Sequence, residues 1–371
     1  MEKKLKIGFD AKRLFMNNTG LGNYSRNLVK NLKQQYPQHE YHLFTSKIIR
    51  NKATTFFLEN GFIIHICPSW QPAWYWRSYG CSTLINKLEL DIYHGLSHEI
   101  PYGINKSTKT IVTVHDLIYE KYPELFGWWN SKIYQQKYRS SCKRADVIFA
   151  ISKSTAKDIS SLYNINADKI KITYQSCDER FQTEPISEKK RDYFLYVGTI
   201  NRRKSLKDIV TALNKLPEDK RKKLIVVGDG GDYKNEVIAE IKKFKLENYI
   251  EFKGNLNNDE LITLYDNAIC LILPSQYEGF GIPIIESLFR RIPAITCNNS
   301  SLIEAGGEGA LYINHGNIDE LSGAMIKIQD DKDWDELSLK GFNHVINNFS
   351  FSKVIKSLMA CYEELLRNTK S

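Results

Sequence analysis

The chain has 371 residues, 42% hydrophobic and 26% charged, with a formal net charge of +9 and a mean hydropathy of −0.41. The length exceeds one ordinary hydrophobic core and implies two domains, while no apolar run approaches the ~20 residues of a membrane span. Seven scattered cysteines, none in CxxC spacing, argue against zinc and disulfides, and the start MEKKLKIGFDA lacks a signal-peptide core, so the expected location is cytoplasmic.

In chain order, short β-rich runs alternate with helical patterns. Leu5–Phe9, Tyr41–Phe44, Phe62–Ile66, Asp91–His94, Thr110–Val114 and Asp146–Ala150 read as strands, with helices at Leu21–Leu32 and Lys153–Leu162. The pattern then restarts with strands at Tyr193–Val197, Lys223–Val227, Ile250–Phe252, Ala268–Leu273 and Ala294–Thr296. Between these strands, helices are expected at Leu206–Leu213, Lys234–Phe244, Asn258–Asp266 and Pro283–Phe289. Such alternation predicts parallel sheets covered by helices, an α/β fold of two tandem Rossmann-like domains. Capping boxes are expected where Asn257 precedes Glu260 and Asn317 precedes Glu320. The domains are expected at residues 1–180 and 192–350, joined by a polar linker at 181–191 within DERFQTEPISEKKR. Residues 351–371 hold an amphipathic C-terminal helix.

Ligands of open α/β sheets bind beyond the carboxyl ends of strands, and three such ends carry glycine-rich turns. The first holds Gly20 and Gly22; the near-fingerprint GLGNYS has Ser25 in place of a third glycine, which weakens a dinucleotide reading. The second is Gly198 followed by Arg202, Arg203 and Lys204. The third is SQYEGFGIPIIES, Ser275 to Ser287. There Gly279 and Gly281 are expected to adopt positive φ, Pro283 to open a helix, and the free amides of its first turn to form an anion site. Glu286 is expected in that first turn, where the helix dipole favours a carboxylate; it would repel a phosphate unless it faces neutral hydroxyls. Glu278 is expected to face the ligand, with Arg203 and Lys204 matching a diphosphate. An acid near hydroxyls on each side of a phosphate-binding turn describes a nucleotide-sugar site.

Glu278-Gly279-Phe280-Gly281 with Pro283 and Glu286 resembles the E-x7-E pattern of retaining glycosyltransferases of the GT-B fold, glycosyltransferase family 4. The bacterial mannosyltransferase-like members that build surface polysaccharides are the nearest in style. Gly20-Leu21-Gly22, His115-Asp116, Ser152, Gly198 with Arg203-Lys204, and Gly228-Asp229-Gly230 extend the resemblance over nearly the whole chain. It implies two domains facing across a cleft, the first binding acceptor and the second the nucleotide sugar, with the C-terminal helix crossing back to the first. It also implies that Glu286 holds the ribose hydroxyls and that Glu278 with the amides of Gly279, Phe280 and Gly281 contacts donor sugar and diphosphate. Arg203 and Lys204 would neutralise the leaving diphosphate, and Gly20 and Gly22 would close over the phosphates. His115 would touch the donor sugar, and Gly254–Leu256 would lie beside the base. The implied reaction retains configuration by front-face attack without a side-chain nucleophile, needs no cofactor and no metal, and favours GDP-mannose as donor with a glycan or polyprenyl-linked acceptor. Ser205 and Asn23 depart from the family's usual asparagine and arginine.

The remaining signals are read more plainly. His94 and His98 could contact an acceptor, but structural roles weigh more. The Asp331, Asp333 and Asp335 spacings read as a solvated helix start. Trp70, Trp74 and Trp76, set among prolines, read first as burial under a loop; the alternative is peripheral attachment to an anionic membrane surface, which the net charge also suits. No nucleic-acid motif is present. An NAD-dependent oxidoreductase is the rival class, against which stands the lack of a carboxylate at the end of the second strand, Phe44-Thr45-Ser46. An inactive nucleotide-sugar-binding protein and an epimerase of the same fold are the others.

Overall fold

The computed structural model describes residues 3–125, 128–183 and 190–367. Two compact units divide it: Met1–Gln175 with Phe351–Ser371, and Ser176–Ser350. The first contains β1 (Lys6–Asp10), β2 (Glu40–Thr45), β3 (Ile63–Ile66), β4 (Ile92–Gly95), β5 (Lys109–Val114), β6 (Val147–Ala150) and β7 (Ile170–Ile172). All pair in parallel in the order β3-β2-β1-β4-β5-β6-β7. The second contains β8 (Tyr193–Val197), β9 (Lys223–Val227), β10 (Ile250–Gly254), β11 (Ala268–Leu273), β12 (Ala294–Cys297) and β13 (Ala310–Ile313), again parallel, in the order β10-β9-β8-β11-β12-β13. In each sheet the chain reverses its direction of growth beside the first strand, between β1 and β4 and between β8 and β11. At those switch points the loops diverge and leave room for ligands.

Both sheets are covered on both faces, which is why their strands read as near-continuous apolar runs; all six residues of β11 are buried. On one face of the first sheet Phe9, Val29 and Tyr41 pack with Ile355, Leu358 and Tyr362 of the C-terminal helix Phe351–Arg367. The other face gathers Trp76, Ile85, Tyr93, Tyr138 and Ile159. Among the described residues no helix is long and apolar enough to cross a membrane.

Several local expectations need correction. The edge strands β7 and β13 and the helix Trp128–Arg144 carry no strong pattern, since the strands span three and four residues and the helix lacks a clean apolar stripe. The Asn257 box is complete, but Glu320 turns back to the Asn314 amide, leaving Asn317 to cap alone. Residues 176–183 are not spacer: Phe181 packs edge-on to Tyr265 at 5.8 Å, and Thr183 accepts from Arg290. The linker positions 184–189 lie outside the described residues. At the far end Arg191 stacks 3.6 Å over Trp334 and pairs with Asp331 and Asp335, at the start of the helix Asp331–Phe349.

Candidate functional site

The carboxyl ends of β8 and β11 bring the charged candidates of the second unit together. After β8 the chain turns at Gly198 into a short 3-10 turn, Arg202–Lys204, capped by the Asn201 side chain on the Lys204 amide. After β11 the loop doubles back, and the Gln276 amide donates to the Arg203 carbonyl at 2.8 Å. Glu278 is thereby set between two cations. Lys204 Nζ lies 2.8 Å from Oε1 and Arg203 Nη1 3.0 Å from Oε2, while Ser275 Oγ donates to Oε1 at 3.0 Å. The three charged side chains are only 12–14% exposed. Burial alone would push the Glu278 carboxyl up, but Lys204 and Arg203 outweigh it and bring it down to about 2. Arg203 also reaches the Tyr277 carbonyl.

The helix that follows begins one residue earlier than expected, spanning Ile282–Phe289, with Pro283 inside its first turn. Gly281 is the N-cap at φ 107°, a conformation that costs an L-residue and not glycine. Gly279 is not among the glycines with positive φ, so one glycine of the pair carries that requirement. Phe280 is anchored in the core edge-on to Phe349, at 5.1 Å; only its backbone can serve a ligand. Glu286 falls in the second helical turn, so dipole stabilisation in the first turn does not explain it. Burial pushes its carboxyl up to about 8, against a hydrogen bond from the Tyr265 hydroxyl at 3.0 Å, with Asp178 adding repulsion. At neutral pH Glu286 is therefore mostly uncharged, which removes the repulsion toward a phosphate that the sequence raised.

In the first unit Gly20 and Gly22 lie within the first turn of the helix Gly20–Gln35, not in a loop before it, and are separated from β1 by the helical turn Lys12–Met16. A Cβ at Gly22 would run into the Asn17 carbonyl. Arg26, which sequence reasoning passed over, braces this turn by donating to the carbonyls of Leu14 and Asn17 and to Asn23 Oδ1.

His115 is buried, and both its nitrogens are used: Nε2 donates to the Leu96 carbonyl at 2.8 Å and Nδ1 accepts from Gln175 at 2.7 Å. A sugar contact from this ring would require one of those bonds to break. His94 is a core residue between Tyr362 and Thr113, at 2.6 and 2.7 Å. His98 stacks on Tyr138, accepts from the His115 amide, and has a buried Nδ1 without a partner. Burial pushes His94, His98 and His115 down to about 3, so all are neutral.

Two family descriptions match consecutive stretches of this chain: "Glycosyltransferase Family 4" over residues 18–180 and "Glycosyl transferases group 1" over residues 178–340. The chain belongs to the family 4 type of glycosyltransferases, with the GT-B fold. This family 4 chain is 25% identical to the O-antigen chain mannosyltransferase B of Escherichia coli, over 90% of this chain and 93% of that one. It is 28% identical to the O-antigen chain mannosyltransferase RfbU of Salmonella typhimurium, over 69% of each. Among solved structures, sucrose-phosphate synthase from Thermosynechococcus elongatus superposes with a TM-score of 0.77 at 15% identity, covering 98% of this chain and all of that one. Anabaena Alr3699/HepE in complex with UDP and glucose gives 0.73 at 15% identity, over 97% and 99%. For a glycosyltransferase, a pre-set pair of cations at a strand end, with a second, buried acid on the helix that follows, is a usable layout for a diphosphate joined to a sugar diol.

Proposed function

We propose that this glycosyltransferase moves a hexosyl group, mannose from GDP-mannose in first place, onto a glycan or polyprenyl-linked acceptor in surface-polysaccharide synthesis, with retention of configuration and without a metal or cofactor. The observation that carries the reading is the Arg203–Glu278–Lys204 cluster at the β8 and β11 ends, with the raised Glu286 eight residues on. The names of the Escherichia coli and Salmonella relatives support the sugar and the pathway class.

Arg203 and Lys204 take the charge that develops on the leaving diphosphate, and preorganised charge of this kind is commonly the largest catalytic contribution. Glu278 holds both cations in place and meets donor hydroxyls. The neutral Glu286 carboxyl can donate to one ribose hydroxyl and accept from the other. The amides around Gly281 face the diphosphate, and Gly198 leaves room for Lys204. Peripheral attachment to an anionic membrane face is supported by Ile66 and Trp70, 53% and 77% exposed, and by the net charge of +9.

A thermal-shift scan against GDP-mannose, UDP-glucose, other nucleotide sugars and NAD(H) tests the donor by linkage. A selective shift with GDP-mannose is expected. A selective shift with another nucleotide sugar would replace the donor, and one with NAD(H) alone would overturn the reading.

A further inference from the structure

The first unit contains a cleft that the reading above does not use. It lies between the π-helical turn Trp76–Gly80, the loop after β4 and the helix Trp128–Arg144, and Arg77 ties it to Asp10 at the end of β1. Its volume is about 380 Å³, toward the small end of the ~300–1,000 Å³ typical of ligand clefts. Arg77 forms the floor. It donates to Asp10 Oδ2 from Nε and Nη2, at 3.0 and 2.6 Å, and to Glu99 Oε1 from Nη1, at 2.6 Å. It sits on a π-helical turn, Trp76–Gly80, a widened turn that is frequent at functional sites.

One wall is a ladder of rings. Tyr75 stacks on Tyr79 at 5.7 Å, Tyr79 on Tyr102 at 5.0 Å, and the Arg144 guanidinium lies 3.8 Å over Tyr102. Arg144 is fixed by the Ile100 and Pro101 carbonyls, and the Tyr102 hydroxyl by Ser140. The wall is therefore rigid before any ligand arrives. Trp74 stands at the rim, edge-on to Tyr75 and 67% exposed. So large an apolar face left in water usually marks a contact surface.

The electrostatics select the ligand. Arg77 is spent on two carboxylates and Arg144 on two carbonyls, so the cleft offers an anion little beyond Lys137, with Glu99 opposing it. Glu99 Oε2 lies 4.0 Å from Lys137, beyond hydrogen-bond reach, and is left to accept from a hydroxyl. A flat aromatic face beside a fixed carboxylate suits a neutral pyranose, whose C–H face stacks while its hydroxyls point to the acid.

We propose that this cleft is a subsite for a neutral pyranose unit of the acceptor glycan, stacked on Trp74 and hydrogen-bonded to Glu99. The identity of the glycan as acceptor rests on the transferase reading; binding of the sugar does not.

The test uses the full chain without donor. Saturation-transfer NMR is recorded with α-linked mannobiose, mannotriose, maltotriose and chitotriose, on the wild type and on Trp74→Ala, whose exposed position spares the fold. The expected result is binding of at least one saccharide by the wild type, weakened about tenfold or more in Trp74→Ala, with the nucleotide-sugar thermal shift unchanged. Failure of every saccharide to bind, or equal binding by the variant, would overturn the proposal. So would a variant that keeps saccharide binding and loses only flotation with anionic vesicles, which would assign Trp74 to a membrane. Saccharide binding without any nucleotide-sugar shift would sink the donor reading and leave the cleft standing.

Discussion

Near the carboxyl ends of the two sheets lie clusters of titratable side chains that differ in electrical character, the first sheet adding a group of histidines to its Arg77–Asp10–Glu99 ion pairs. In the second unit Glu278 is ionised between Arg203 and Lys204, and Glu286 is held neutral beside Tyr265. In the first unit His94, His98 and His115 are buried and neutral, joined by hydrogen bonds and ring contacts. The second-unit cluster sits where parallel topology leaves the sheet open, whereas the three histidines are buried. One stores charge already paired, ready to re-pair with an anion. The other keeps its buried hydrogen-bonding groups uncharged, as burial favours.

The largest test of this division is removal of one charged and one neutral group from the second unit. Lys204→Ala and Glu286→Ala are each expected to lower turnover by ~10²-fold or more, by analogy with the loss of one preorganised contact. Wild-type rates in either variant, measured at saturating donor, would break the assignment of that residue to the donor site.

The pH response should separate the two clusters. Glu286 has a folded value near 8, above its ordinary 4.5, so its contribution is fully present below pH 4.5 and is lost as pH rises to about 8. The histidines have folded values near 3, below their ordinary 6.5, so theirs is present above pH 6.5 and is lost as pH falls toward 3. Between pH 4.5 and 6.5 the second unit should therefore gain stability on acidification, by about 2–3 kcal/mol from Glu286, while the first loses up to about 7 kcal/mol from its three histidines. Hydrogen exchange corrected for intrinsic rates and read peptide by peptide should show the opposed slopes, and Glu286→Gln should flatten that of the second unit only. Parallel slopes would show that these groups do not govern the difference.

Much of this was legible in the sequence because it depends on local pattern. Apolar runs of four to six residues marked most strands, four of them (β4, β8, β9 and β10) running into glycine, and the two-domain α/β reading follows from their alternation with helical patterns. Arg203 and Lys204 were grouped with Glu278 by the charge a diphosphate needs; that their turns end neighbouring strands is seen only in the sheet order. The state of Glu286 could not: its partner Tyr265 is 21 residues away, and a one-residue shift of the helix start moved it out of the first turn. The Arg77 network was hidden for the same reason, since Asp10 and Glu99 lie 67 and 22 residues from it. Trp70 and Trp74 were expected under a loop and are exposed, because burial of an aromatic depends on what the rest of the fold leaves uncovered.

The smallest expected effect concerns backbone strain, where the two strand ends match. His98, after β4, and Ser205, after β8, adopt left-handed conformations at φ 62° and 52°. Such a residue costs roughly 1–2 kcal/mol relative to the right-handed region, less for asparagine, whose side chain can satisfy the local backbone. That gives a physical reason for the family's asparagine at the position held here by Ser205. Its hydroxyl recovers part of the cost through His315 Nε2, at 3.0 Å. Ser205→Ala keeps the strain and loses the bond, so it should destabilise by about 1 kcal/mol, the net value of one hydrogen bond. Ser205→Gly loses the same bond but relieves the strain, and should stay within about 0.5 kcal/mol of wild type, its looser unfolded chain offsetting part of the gain. Chemical denaturation of the three proteins distinguishes the two contributions. If glycine proved as destabilising as alanine, the hydroxyl would account for the whole effect, and the strain shared by the two strand ends would carry no measurable cost.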